Sequence, residues 1–157
     1  MERYFEKISF EQFKKDVCDD KDLYDEYLLP KRATKNSGGY DFLAIEEIVI
    51  EPGEIKKFPT GYKAKFMDDE ILMIVVRSSM GFKYNVRMCN QVGIIDSDYY
   101  NNSENEGHMW VRLQNEGDEP YVIKKGAAYC QAIFLKYLTC GDVVEEERMA
   151  GLGSTDK

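Results

Sequence analysis

Short runs of alternating or clustered apolar residues fill most of this chain, and turn-forming residues separate them. Tyr40 to Ile45, Glu54 to Phe58, Gly61 to Phe66, Ile71 to Val76, Met109 to Gln114, Tyr121 to Lys124 and Cys130 to Leu138 read as strands. Their β-branched and aromatic side chains suit a pleated, half-buried surface. Pro52-Gly53, Asp68-Asp69, Asn115-Glu116-Gly117 and Lys125-Gly126 supply the breaks. A helical period occurs only near the start. Ser9-Phe10-Glu11-Gln12 has the form of a capping box, and Phe10, Phe13 and Val17 follow at helical spacing, which predicts a short packing helix over 10–18. Leu28 to Ala33 reads as extended chain, with Pro30 tolerated at a sheet edge, and Asn36-Ser37-Gly38-Gly39 as a turn. The pattern predicts a mostly β domain, a sandwich or barrel with the jelly roll among the candidates.

Composition narrows the classes of function. At 157 residues with 43% hydrophobic content, one domain with a substantial core is expected. The longest aliphatic run, Ile71 to Val76, is too short to span a bilayer, and Met1 to Lys15 lacks the form of a signal peptide, so a cytoplasmic location is expected. Net charge is −8, which argues against binding along a nucleic-acid backbone. An anionic ligand must therefore meet a local cationic cluster. Cys18, Cys89, Cys130 and Cys140 are widely spaced, and His108 is the only histidine, a poor set for zinc. Buried thiols are expected rather than disulfides.

Candidate chemistry concentrates in Gly93-Ile94-Ile95-Asp96-Ser97-Asp98-Tyr99-Tyr100, where an apolar strand runs into two carboxylates and two aromatics. If the strand continued, Asp96 and Asp98 would share a face and repel unless a cation, a basic side chain or water lay between them. A plain strand end entering a turn explains the composition equally well. Arg77-Ser78-Ser79 ends another apolar strand with a guanidinium and two hydroxyls, groups that hold phosphate or carboxylate oxygens. Past Asp142 the chain turns acidic and ends in Arg148 to Lys157, whose glycines, hydroxyls and cations have the composition of a phosphate-wrapping nest. A frayed terminus has the same composition.

In chain order these pieces resemble the five motifs of the trimeric dUTPase family. They are Ser37 to Ala44, Arg77-Ser78-Ser79, Asn90 to Tyr99, Gly126 to Gln131, and Arg148 to Lys157 around Gly151-Leu152-Gly153-Ser154-Thr155. Residues 1–28 lie outside the resemblance, an N-terminal extension that the capping box and apolar spacing predict to be helical. The resemblance implies a distorted jelly roll over 29–141 and a flexible C-terminal arm over 142–157. It also implies cleavage of dUTP to dUMP and pyrophosphate by a homotrimer with shared sites. Magnesium would be held mainly by the substrate triphosphate, with Asp41 helping through water. Asp96 would activate the water that attacks the α-phosphorus. Tyr99 would pack under the deoxyribose, and Asn90 with the backbone at Gly93 and Ile95 would read uracil. Arg77, Ser78, Ser79 and Gln131 match phosphate-contacting or Asp-supporting positions. Arg148, Gly153, Ser154 and Thr155 match the arm that closes over the γ-phosphate.

Leu152 stands where many relatives carry a phenylalanine over the uracil ring, which makes His108, Trp110 and Leu152 the candidates for that cover. A buried Trp110 in a strand and an exposed His108 in a turn are the plain alternatives. Ala127, Ala128, Val76 and Asn101-Asn102 also depart from the usual motif residues. Two rivals share the implied fold: dCTP deaminase, which needs a catalytic glutamate, and a nucleotide-switched trimer that binds a regulatory protein partner. If Trp110, the single tryptophan, lies near the base, adding dUTP changes the intrinsic fluorescence. Unchanged emission with binding established by calorimetry would remove Trp110 as the cover.

Overall fold

The computed structural model describes residues 3–146 and Arg148. Twelve strands dominate these residues: β1 (Tyr4–Lys7), β2 (Lys31–Arg32), β3 (Tyr40–Leu43), β4 (Ile48–Ile50), β5 (Ile55–Pro59), β6 (Tyr62–Lys65), β7 (Glu70–Val76), β8 (Val86–Met88), β9 (Gly93–Asp96), β10 (Trp110–Asn115), β11 (Tyr121–Ile123) and β12 (Ala128–Lys136). Helices are short: α1 (Phe10–Asp16), α2 (Lys21–Glu26), α3 (Ser78–Tyr84) and a 3-10 turn over Ser97–Tyr99. The strands form sheets ordered β1-β6, β5-β10-β8, β11-β4 and β2-β3-β12-β7-β9. This is the mostly β, jelly-roll arrangement expected from the pattern. None of the described helices is long and apolar enough to cross a membrane.

The five-stranded sheet is the frame. β7 pairs antiparallel with β12 along its whole length, from Glu70↔Lys136 to Val76↔Cys130, and on its other edge with β9, from Ile71↔Asp96 to Ile74↔Gly93. One face of β7 is buried through Glu70, Leu72 and Ile74, while Ile71, Met73 and Val75 on the opposite face are only partly covered. Gly93 lets the two strands pack closely, since a Cβ there would lie 3.3 Å from Ile74 Cβ. The predicted edge segment around Pro30 shrinks to the two-residue β2, which does lie at the sheet's edge.

Residues 3–28 pack onto the same core as the strands. Phe5, Ile8, Phe13, Leu23 and Tyr27 belong to the buried cluster that also contains Phe42, Tyr62 and Leu72. Phe13 stacks on Tyr27 with centroids 5.6 Å apart. The capping box is half realised. Ser9 Oγ accepts from the Gln12 N–H at 3.1 Å, but the Gln12 side chain turns to Asp16, and Glu106 Oε2 accepts from the Ser9 N–H at 3.0 Å. A long-range carboxylate thus replaces the local partner.

No disulfide occurs among the cysteines: Cys130 is buried, Cys18 and Cys89 are half-buried, and Cys140 is exposed. The expectation of buried thiols therefore holds for Cys130 alone.

Phe13 is 0% exposed, so Phe13→Ala is expected to destabilise the whole domain by about 3–5 kcal/mol. Urea unfolding followed by far-UV and near-UV signals reads this as one shifted transition. A separate early transition would mean that the N-terminal segment folds apart from the strands.

Candidate active site

One polar cluster lies where β7 ends. Val76 is its last residue, and Arg77, extended at φ −70°, leads into α3 with Ser78 and Ser79 in the first turn. The Arg77 Nε lies 3.3 Å from Asp41 Oδ1. Asp41 in β3 pairs across with Gln131 in β12, and Gln131 pairs with Val75 in β7. Gly39 makes room for this group, because a Cβ there would lie 2.3 Å from Gln131 Oε1 and 3.2 Å from Gln131 Cβ. The cluster offers one guanidinium, two hydroxyls, an amide and a single carboxylate.

The second cluster lies at the other end of the strand pair. Asp96 ends β9 opposite Ile71, and the chain then enters the 3-10 turn, so Asp98 is not two residues further along a strand. The expected repulsion is met by a basic side chain. Arg148 donates from Nη2 to Asp96 Oδ2 at 2.5 Å and from Nε to Asp98 Oδ1 at 2.7 Å. Its side chain is 17% exposed, against 49% and 55% for the two carboxylates.

These clusters share a face of the sheet but do not meet within one chain. Ile71 and Arg77 are six positions apart on an extended strand, which separates Asp96 from Arg77 by about 20 Å, beyond the reach of both side chains. Between them lies an apolar band of Ile71, Met73, Val75, Ile94, Ile133 and Leu135, each half-buried or exposed in the single chain.

Aromatic residues define two adjoining cavities beside β9. One, of about 440 Å³, is lined by Asn90, Gly93, Ile95, Lys57 and Trp110. The other, of about 490 Å³, is lined by Tyr99, Asp16, Lys57 and Trp110 among others. Trp110 therefore borders both, with the Lys57 ammonium 4.7 Å from its ring centroid. The loop before β9 is tight: Gln91 has φ +64°, and the Val92 N–H donates to Asn90 O at 2.7 Å. Tyr99 is 9% exposed and donates its hydroxyl to His108 O at 2.9 Å. Burial pushes its phenol up from the usual range, which keeps it a neutral donor. A larger concavity of about 580 Å³ between Lys83 and Tyr121 holds none of the predicted site residues.

His108 cannot cover a base. It is 0% exposed, its Nε2 accepts from the Gly61 N–H at 3.0 Å, and its Nδ1 lies 2.5 Å from Asp16 Oδ2. The ring has no free face, so both the lid role and the exposed-turn alternative fail for this residue. Leu152, Gly153, Ser154 and Thr155 lie outside the described residues. Sequence reasoning missed Asp16, Lys57 and Asn105 beside Tyr99. Only the helical period placed Asp16 at the end of a turn, and nothing local pointed it at His108.

Among the described residues no group of three or more His, Cys, Asp or Glu is placed to hold a metal. Asp41 uses Oδ1 in its ion pair with Arg77, and a carboxylate has a second oxygen with which to bind a metal-bound water.

Comparison with known proteins identifies first the fold and then the family. The chain superposes on the dUTPase from phage phi11 of S. aureus with a TM-score of 0.66 at 18% identity, covering 92% of this chain and 96% of that one. That likeness defines the jelly-roll fold. The dUTPase family model matches residues 25–155, and the chain belongs to the dUTPase family. It is 46% identical over 130 residues to the deoxyuridine 5'-triphosphate nucleotidohydrolase of Lactococcus lactis subsp. lactis (strain IL1403), covering 81% of this chain and 87% of the relative. The solved dUTPase of Streptococcus mutans is 36% identical, with a TM-score of 0.69 over 88% of this chain and 98% of that one.

The buried imidazole has a testable pH signature. Burial pushes the His108 pKa below 6.5, partly opposed by Asp16 and Glu106. Below pH 6.5 the unfolded chain binds a proton that the folded chain resists, so this contribution to stability is complete above pH 6.5. It is lost as pH falls through the lowered folded value. Denaturant unfolding between pH 7 and 5 is expected to show this slope, and His108→Asn, at a lower baseline, is expected to flatten it.

Proposed function

We propose that this chain hydrolyses dUTP to dUMP and pyrophosphate, as a homotrimer whose sites combine clusters from different copies. The family match over residues 25–155 carries the activity. The split geometry supports the assembly. Asp96 and Arg77 flank one apolar band on one face, and a second copy seated on that band can bring its Asp96 cluster to the first copy's Arg77 cluster.

In this reading Asp96 takes a proton from the water that attacks the α-phosphorus. The bond from that phosphorus to the bridging oxygen breaks, and pyrophosphate leaves. Arg77, Ser78 and Ser79 hold phosphate oxygens, and Gln131 supports them. Asp41 would hold a substrate-borne Mg2+ through water, and the ion would supply charge neutralisation for the phosphates. Arg148, Gly153, Ser154 and Thr155 close over the γ-phosphate. Tyr99 packs under the deoxyribose, Asn90 with the backbone of Gly93 and Ile95 reads uracil, and Trp110 borders the base. A cytoplasmic location is supported by four cysteines without a disulfide.

Turnover of dUTP, dCTP, dTTP and UTP with magnesium, followed by pyrophosphate and ammonia release, tests the activity. Pyrophosphate from dUTP is expected, with kcat about 10²–10⁴-fold lower in Asp96→Asn. Ammonia from dCTP would move the chain to the deaminase reaction, and tight dUTP binding without product would favour a nucleotide switch. Mixing inactive Asp96→Asn and Arg77→Ala chains after joint unfolding and refolding is expected to restore part of the activity. A mixture as inactive as its components would sink the shared site.

A further inference from the structure

The N-terminal helix is fastened at both ends to the loop that holds Tyr99. At its start, Glu106 accepts from the Ser9 N–H at 3.0 Å and also hydrogen-bonds the Ser9 hydroxyl. At its end, Asp16 Oδ2 meets His108 Nδ1 at 2.5 Å. Because His108 Nε2 accepts from the Gly61 N–H, it carries no proton, and Nδ1 is the donor to Asp16. The ring is thus held on both nitrogens, which fixes the His108 backbone. That backbone supplies the carbonyl that accepts from the Tyr99 hydroxyl at 2.9 Å. Asn105 Nδ2 donates to the same hydroxyl at 2.9 Å and to the same carbonyl at 3.3 Å. Gly107, at φ +84°, lets the loop close on Tyr99, since a Cβ there would lie 2.6 Å from Tyr99 O. Gln12, Lys15 and Asp16 of the helix line the cavity that Tyr99 and Trp110 also line.

We infer that Asp16, acting through His108, is a positioning residue for Tyr99, and that the N-terminal helix thereby sets the preference for deoxyribose over ribose. This rests on the proposed dUTPase reading, in which the Tyr99 ring lies under the sugar. Excluding a 2'-hydroxyl requires the ring to stay where that oxygen would go. A ring free to tilt admits it. The Tyr99 hydroxyl is tethered at the far end of the ring, so the tether controls the tilt.

The test compares kcat/KM for dUTP and UTP in the parent, Asp16→Ala, Asp16→Asn and Tyr99→Phe. Asp16→Ala and Tyr99→Phe are each expected to lower the dUTP-to-UTP ratio about tenfold or more. Asp16→Asn, whose amide oxygen still accepts from Nδ1, is expected to stay within about threefold of the parent. A folded Asp16→Ala with the parent's ratio would overturn the inference. If Asp16→Ala does not fold, Tyr99→Phe decides, because it cuts the tether without touching the helix, and an unchanged ratio there overturns the inference equally. A parent that does not hydrolyse dUTP defeats the functional reading instead. The ring ¹³C resonances of Tyr99 then test the clamp, being displaced by Asp16→Ala and not by Asp16→Asn if it holds. Resonances that stay in place overturn it.

Discussion

The pairing of β7 on both its edges is the constraint on which the rest of the molecule depends. Seven consecutive residues are matched to β12 and four to β9. A one-residue slip would exchange the buried row of Leu72 and Ile74 for Ile71, Met73 and Val75. It would also carry the residues that follow β7, Arg77 among them, out of step with Asp41 and Gln131. Core register and site geometry are therefore one property of this strand. The same register leaves an apolar band on the outer face, a poor surface for a solitary chain and a natural one for a partner copy.

Much of the sheet was legible in local pattern. Ile71 to Val76 falls within β7, and Tyr121 to Lys124 differs from β11 by one residue. The turns at Pro52-Gly53 and Lys125-Gly126 form with positive φ at both glycines. Part of what escaped detection depends on distant partners. β1 exists because Tyr4 to Lys7 align with Tyr62 to Lys65, and Tyr-Phe-Glu-Lys has no alternation of its own. β4 and α2 were missed although local signals existed: the triplet Ile48-Val49-Ile50 precedes a Pro-Gly turn. α2 carried a legible cap, since Asp20 accepts from the Leu23 N–H. α3 is seven residues long with Gly81 inside it, and helix propensity could not announce it.

The candidate site divides in the same way. The order of the five motifs, through the resemblance to the dUTPase family, pointed to Asp96, Arg77, Gln131 and Tyr99. Spacing along the chain could not show that Asp96, at the end of β9, lies beside the start of β7 while Arg77 follows its other end. Nor could it show that the single histidine is buried against a helix 92 residues earlier in the chain. His108 was a candidate base cover because it follows the third motif in a chain whose Leu152 offers no aromatic face; the fold uses it as a two-point brace instead.

Arg148 between Asp96 and Asp98 bears on ionic strength. A chain of net charge −8 repels a polyphosphate at long range, and salt screens that repulsion over about 8–10 Å at physiological strength. The guanidinium, largely shielded from solvent, offsets one of the two carboxylate charges at short range, where screening is weak. Moderate salt therefore weakens the long-range barrier to arrival more than it weakens this short-range pairing. Nucleotide association should quicken with added salt before it slows, opposite to the behaviour of a basic phosphate-binding surface.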